Sequence, residues 1–136
     1  MTPTDIKRLE SFLVQTFLLI SLGAIVGANL RYAVGQSIAR VFPSLPYGTL
    51  VINLTGSFVL GFFMIWTTER VFADPRWRLL IAVGFCGGYT TFSSYAFETF
   101  ALFQQGNWSL SALNIVATNV LCLIGTLLGA MLARAL

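Results

Sequence analysis

The sequence has no histidine and little charge, and each shortage excludes a class of function. Histidine is the residue that most often acts as a general base or binds a transition metal, so a chain without it lacks the usual means of both. Only 10% of the 136 residues are charged while 57% are apolar, which leaves too little charge to cover a soluble domain of this size. The net charge of +3 is small and scattered, so it does not predict binding to nucleic acid. The composition therefore favours a membrane protein and argues against an enzyme.

Long stretches without charge dominate the chain, and they cover residues 11–30, 41–68, 79–97 and 99–133. Because a membrane-spanning helix needs roughly 20 mostly apolar residues, we predict four transmembrane helices at about residues 12–38, 49–66, 77–103 and 110–133. Pro43 and Pro46 separate the first two helices. The polar residues 1–10 are expected to form a short interfacial turn or a disordered end. The prediction is an all-α membrane protein with a single four-helix domain over residues 1–136.

The third predicted helix contains an interruption, the stretch Gly87-Gly88-Tyr89-Thr90-Thr91, which is poor helix-forming sequence. Unwound backbone at membrane depth is tolerated only where protein or water receives its polar groups. Freed carbonyls can bind a hard cation, and freed N–H groups can face an anion. A glycine-induced kink explains the same residues, so the stretch alone does not decide the function.

Two aromatic residues follow the interruption at a spacing of three, Phe92 and Tyr95, and therefore share one face of a helix. The edges of aromatic rings are positive, so two edges aimed into a channel would hold an anion with little competing hydration. Ordinary packing of core aromatics is the alternative. Both interpretations stay open at this point.

Three polar side chains lie within or beside the apolar runs, Arg31, Asn53 and Glu98. An arginine inside a span costs at least about 2.5 kcal/mol, so Arg31 either faces protein or water or reaches to the membrane interface. The amide of Asn53 offers two donors to an anion, or a hydrogen bond between helices. Glu98 suits a proton-coupled transporter if it is buried, and a solvated vestibule if it lies near a helix end.

The last predicted helix carries a polar stripe at i, i+4 and i+8, formed by Asn114, Thr118 and Cys122. Ser94 of the third helix is placed to face this stripe. Such a stripe is typical of polar packing between helices, and it also suits a conduction path. The pattern does not choose between the two.

Three segments of this sequence resemble the Fluc (CrcB) family of bacterial fluoride channels: residues 23–32 (GAIVGANLRY), 48–56 (GTLVINLTG) and 84–93 (GFCGGYTTFS). The third segment is the most specific of these, and the resemblance extends over about residues 22–132. It implies a passive, fluoride-selective channel of the bacterial inner membrane that protects the cytoplasm from fluoride. It also implies an antiparallel, dual-topology homodimer with two pores and a broken third helix in each subunit.

The resemblance also implies roles for single residues. A structural sodium ion would lie at the dimer centre, held by the backbone carbonyls of Gly87 and Thr90. The residues implied to line the fluoride pore are Asn53 as a donor, Phe92 and Tyr95 as the ring pair, Thr118 as a hydroxyl, Arg31 near the entrance and Glu98 near the other end. We expect Ser93 and Ser94 to add further hydroxyls to the same pore. Tyr95 departs from the family, which has phenylalanine there, and Asn114 stands where many relatives have tyrosine.

The distribution of Lys and Arg leaves the partner open. If the termini share one side of the membrane, six basic residues lie on that side (Lys7, Arg8, Arg70, Arg76, Arg78 and Arg134) against two on the other (Arg31 and Arg40). Lys and Arg set the orientation of insertion, so this bias allows an oppositely inserted paralogue as the partner, although a homodimer is the first expectation. The partners are then fluoride, membrane lipid and a second subunit.

Two other functions remain as alternatives. A proton-coupled exporter of the small multidrug-resistance kind also has four helices, but it needs a carboxylate in the first span, and the run 11–30 has none. A membrane assembly subunit that transports nothing is the other. Fluoride flux across a vesicle membrane distinguishes all three.

Overall fold

The computed structural model describes residues 2–43, 45–69 and 74–136, which form helices and connections without a strand. Three helices are long and apolar enough to cross a membrane: α1 (Pro3–Val41), α2 (Tyr47–Glu69) and α5 (Trp108–Ala135). Between them lie α3, residues 75–89, and α4, Phe92–Gln104. Within α3 the segment Arg78–Cys86 has π-helical hydrogen bonding. Residues 70–73 of the charged connection, Arg70 among them, lie outside the described residues.

The first helix begins about nine residues earlier than the sequence predicted. Thr2 and Asp5 form a capping box, in which Asp5 N donates to Thr2 Oγ1 (3.2 Å) and Thr2 N donates to Asp5 Oδ2 (2.9 Å). Pro3 occupies the first turn, where its missing N–H costs nothing. The expectation of a turn or a disordered end is therefore wrong for residues 3–10. With 39 residues, α1 is about 58 Å long and exceeds the roughly 30 Å apolar core of a bilayer.

Glycines allow the long helices to pack closely, α1 along α3 and α2 along α5. At Gly27 an added Cβ would overlap the backbone of Phe85 in α3. At Gly129 an added Cβ would overlap the backbone of Phe58 in α2. Backbones that approach this closely are typical of helix pairs in membranes, where small residues form the contact.

Between α3 and α4 two residues are extended, Thr90 (φ −77°, ψ 155°) and Thr91 (φ −149°, ψ 114°). The sequence placed the poor helix-forming stretch at residues 87–91, but Gly87–Tyr89 is helical. The predicted helix 77–103 is thus described as two helical segments, residues 75–89 and Phe92–Gln104. Each of them is shorter than the roughly 20 residues that a span requires.

Large apolar side chains cover the outside of the single chain. Phe92 is 77% exposed, and Phe97 and Leu123 are 71% and 67% exposed. A soluble monomer rarely exposes such a continuous apolar surface. Lipid or another protein surface must cover it.

Candidate functional site

The amide of Asn53 holds the extended backbone of Thr91. Thr91 N donates to Asn53 Oδ1 (2.8 Å), and Asn53 Nδ2 donates to Thr91 O (3.0 Å). Asn53 is 8% exposed, so both backbone groups are satisfied away from solvent, as buried peptide groups must be. Nδ2 carries two hydrogens, and the second is not used by Thr91. Asn53 therefore joins α2 to the connection between α3 and α4 and keeps one donor.

The hydroxyl of Thr91 caps the N-terminus of α4. Its Oγ1 accepts from Ser94 N (3.2 Å), as an N-cap does, and donates to Ser94 Oγ (3.1 Å). Ser93 Oγ lies 3.2 Å from the same oxygen. The predicted residues Ser93 and Ser94 are thus gathered at the N-terminus of α4, where unpaired N–H groups and the helix dipole favour negative charge.

The rings of Phe92 and Tyr95 lie against each other on α4. Their centroids are 5.4 Å apart and their planes are inclined by 58°. Phe92 is 77% exposed, whereas Tyr95 is 8% exposed. The pair therefore presents one open ring and one ring that is buried within the chain.

A polar network joins α4 to α5 beside Tyr95. Asn119 Nδ2 lies 3.1 Å from Tyr95 Oη, and Asn114 Nδ2 donates to Thr99 Oγ1 (2.8 Å). Thr118, which is buried, donates weakly to Asn114 Oδ1 (3.4 Å). Sequence reasoning missed Asn119, although an amide next to Thr118 in a charge-free run was a usable signal.

Glu98 pairs with a hydroxyl that sequence reasoning did not single out. Thr49 Oγ1 donates to Glu98 Oε1 (2.6 Å) across 49 positions of the chain. The other oxygen, Oε2, is buried and accepts no hydrogen bond from a described residue. The carboxylate borders a cavity of about 360 Å³, the glutamate cavity, whose walls include Gly35, Thr49 and Gln105.

Arg31 lies beside the extended connection. Its Nη1 is 3.4 Å from Thr90 O, a long hydrogen bond. With Thr49, Thr91 and Ser94 it lines a cavity of about 290 Å³, the arginine cavity. The guanidinium and the N-terminus of α4 both bring positive charge to this space.

The third space, the central cavity, has a volume of about 340 Å³ and brings together four of the eight predicted pore residues. Its walls include Asn53, Thr90, Phe92, Tyr95, Thr118, Asn119 and Cys122. Thr91 lines both the central and the arginine cavity, and Thr49 lines both the arginine and the glutamate cavity. The three spaces are therefore neighbours. Ser93 and Gly87 lie outside their walls.

Backbone carbonyls at the end of α3 are suited to a hard cation. The Thr91 N–H that would continue the helix to Gly87 O donates to Asn53 instead, and among the described residues Thr90 O accepts the long bond from Arg31 and no other. A Cβ added at Gly87 would meet no atom of the described residues within 4 Å, and Gly87 is exposed. In the described part of the chain His, Cys, Asp and Glu form no group of three that would hold a metal. Carbonyl oxygens fit a sodium ion, but two of them leave its coordination shell incomplete.

The chain is similar to known proteins along most of its length. The model of the family described as "CrcB-like protein, Camphor Resistance (CrcB)" matches residues 18–130, which include every wall residue of the three cavities. A relative from Koribacter versatilis (strain Ellin345), named "Fluoride-specific ion channel FluC", is 56% identical over 124 residues, or 90% of this chain and 98% of the relative. Relatives with the same name from Sulfurihydrogenibium sp. (strain YO3AOP1) and Coxiella burnetii (strain CbuK_Q154) are 44% and 40% identical over 90% and 88% of this chain and 100% and 98% of their own lengths.

Proposed function

The chain belongs to the family of CrcB-like proteins, and we propose that it is a multi-pass membrane channel through which fluoride passes down its electrochemical gradient. Its relatives are named as fluoride-specific ion channels and not as enzymes, in agreement with the prediction from composition. The observation that carries the proposal is the lining of the central cavity, which has amide, hydroxyl and aromatic groups but no charged side chain. Such a lining offers hydrogen-bond donors without binding an anion too tightly to release it.

Asn53 and the ring pair supply the first contacts for the ion. Fluoride is small and strongly hydrated, so it enters only where protein donors replace its water at little net cost. The second N–H of Asn53 is one such donor, since Thr91 uses only the other. The positive edges of Phe92 and Tyr95 form the adjoining wall, and Thr118 adds a hydroxyl. A narrow path lined by weak contacts excludes the larger chloride ion.

The neighbouring cavities extend this path. Arg31 and the N-terminus of α4 attract an anion towards the arginine cavity, where Ser94 lies in the wall and Ser93 lies close to the capping hydroxyl of Thr91. Glu98 and Thr49 border the far end, in the glutamate cavity. The negative carboxylate of Glu98 repels anions and so prevents them from binding next to it. The hydroxyl of Thr49 becomes a further donor when its hydrogen bond to Glu98 breaks.

A second subunit completes the channel. The segments α3 and α4 together form one broken span, which brings the number of spans to four. The exposed ring of Phe92 and the open face at Gly87 are where an oppositely inserted copy packs, and the carbonyls of Gly87 and Thr90 from both subunits would hold a structural sodium ion. Such an ion would supply positive charge to carbonyl oxygens of both subunits and so stabilise their contact. The partner is an identical chain, or a paralogue if the excess of Lys and Arg on one side fixes the orientation.

A proton-coupled exporter is the second candidate, because one oxygen of Glu98 is buried without a hydrogen-bond donor among the described residues. Fluoride efflux from liposomes that contain the purified protein separates the candidates, with a potassium ionophore present to balance charge. A channel releases fluoride without a proton gradient and retains chloride. Loss of efflux when a protonophore collapses the gradient identifies an exporter, and vesicles that stay tight identify an assembly subunit. In a bacterial inner membrane the channel would confer resistance to fluoride.

A further inference from the structure

We propose that Asn119 positions the Tyr95 hydroxyl so that its O–H donates a hydrogen bond to fluoride in the central cavity. The inference rests on the proposed function and adds to it a specific donor. The donor is an O–H group on the buried ring of the pair, and its direction is set by an amide of the neighbouring helix. Asn119 is then a positioning residue that acts through Tyr95.

The orientation of the Asn119 amide follows from its neighbour in α5. One terminal atom of the amide lies 2.7 Å from Ile115 O. A backbone carbonyl accepts hydrogen bonds and cannot donate them, so that atom must be the nitrogen. The assignment of Nδ2 is therefore fixed by chemistry, since the reverse orientation would place two acceptor oxygens in contact.

The same nitrogen determines what the hydroxyl of Tyr95 does. Asn119 Nδ2 is 3.1 Å from Tyr95 Oη, and an amide nitrogen only donates, so the phenol oxygen is the acceptor in this bond. The hydrogen of the hydroxyl must then point away from Asn119. In residues 2–43, 45–69 and 74–136 no group accepts it within hydrogen-bonding distance. Tyr95 is 8% exposed, so its hydroxyl is a donor of a buried residue with no acceptor among the described residues.

The central cavity is where that acceptor would lie, because Tyr95 and Asn119 both belong to its wall. A buried donor left unpaired costs about 1–3 kcal/mol, which a small acceptor in the cavity recovers. An anion forms shorter and stronger hydrogen bonds than a neutral acceptor does, and the wall contains no cationic side chain that would trap it. A small hard anion meets these conditions. When no anion is present, a water molecule accepts the hydrogen bond in its place.

Two single substitutions and their combination test the inference. Asn119→Leu removes the amide, so the hydroxyl of Tyr95 is free to turn away from the cavity. Tyr95→Phe removes the hydroxyl itself. Each change should lower fluoride efflux from liposomes roughly three- to tenfold, the loss expected of one hydrogen bond. The double variant should lose no more than either single variant, and the fluoride-to-chloride permeability ratio should fall with the flux.

Asn114→Leu is the matched control, because it removes an amide from the same helix whose partners are Thr99 and Thr118 and not the Tyr95 hydroxyl. Its effect should be the same with and without the Tyr95→Phe substitution. If Asn119→Leu fails to assemble, Asn119→Asp replaces it, since a carboxylate would accept the Tyr95 hydrogen and withdraw the donor. Asn119→Asp should lower fluoride flux by a larger factor in a chain that keeps Tyr95 than in a chain that carries Tyr95→Phe.

Equal losses from the Asn119 substitution with and without Tyr95→Phe would overturn the inference and leave Asn119 with a packing role. In that outcome the unaltered protein still conducts fluoride, so the proposed function stands. Liposomes that stay tight to fluoride with the unaltered protein would overturn the proposed function and the inference together.

Discussion

Replacing Asn53 with leucine should destabilise the connection between α3 and α4 and abolish fluoride conduction. The substitution removes both hydrogen bonds to Thr91, of 2.8 and 3.0 Å, while side-chain volume is nearly kept. Two buried backbone groups then lack a partner, and each costs about 1–3 kcal/mol. Helices unfolded within a membrane find other polar partners, so we expect the lower part of the summed range, about 2–3 kcal/mol.

Unfolding of the purified protein in detergent, followed by circular dichroism, measures this loss. The control is Asn29→Leu, because Asn29 is exposed and bonds only within its own helix, to Ile25 O (2.7 Å). The control should change the free energy of unfolding by less than about 0.5 kcal/mol. Asn53→Asp adds a comparison, since it keeps the acceptor for Thr91 N and places negative charge on the anion path. It should conduct little fluoride, and it should also unfold more easily than the unaltered protein, because a carboxylate cannot donate to Thr91 O.

This reasoning would be refuted if Asn53→Leu had the same free energy of unfolding as the Asn29→Leu control. That result would mean that water or a neighbouring group satisfies Thr91 equally well, and that Asn53 does not support the extended residues. An Asn53→Asp variant with unchanged fluoride flux would separately remove Asn53 from the pore.

The remaining predictions concern three other positions of the site. Phe92→Ile should lower fluoride flux at least tenfold without dispersing the proposed dimer, as measured by liposome efflux and size-exclusion chromatography, and full flux would exclude this ring from the path. Gly87→Leu should reduce the fraction of the proposed dimer but leave the helical content unchanged, because a Cβ there meets no atom of the described residues within 4 Å; an intact dimer would contradict the proposed interface. Glu98→Gln should leave efflux independent of a proton gradient, whereas an exporter that uses Glu98 would lose transport.

The long helices were predictable from the sequence because apolar stretches of about 20 residues without charge are typical of helices that cross a membrane. The start of α1 was not predicted, since the capping box of Thr2 and Asp5 outweighs the polarity of the residues that follow. The extended residues were expected among Gly87–Thr91, but Gly87 and Gly88 are helical. Gly88 serves close packing instead, because a Cβ there would meet the backbone of Ala24 in α1. Helix propensity alone does not reveal such a contact.

The sequence singled out several residues that lie together in the structure, but it did not predict their pairings. Asn53, Tyr95 and Thr118 were singled out as polar or aromatic groups in apolar runs, and they line one cavity. Their hydrogen bonds join positions far apart, such as Asn53 to Thr91 and Thr49 to Glu98. No periodicity in the sequence encodes such a pair, since it depends on how helices cross.

Electrical recording from a planar bilayer that contains the purified protein tests the central claim most directly. Fluoride and chloride gradients of opposite direction are set across the membrane, and the reversal potential of the current is measured. For a passive fluoride channel we expect reversal at the fluoride equilibrium potential, unaffected by the pH on either side. Reversal at the chloride potential, or no current above that of protein-free lipid, would contradict it.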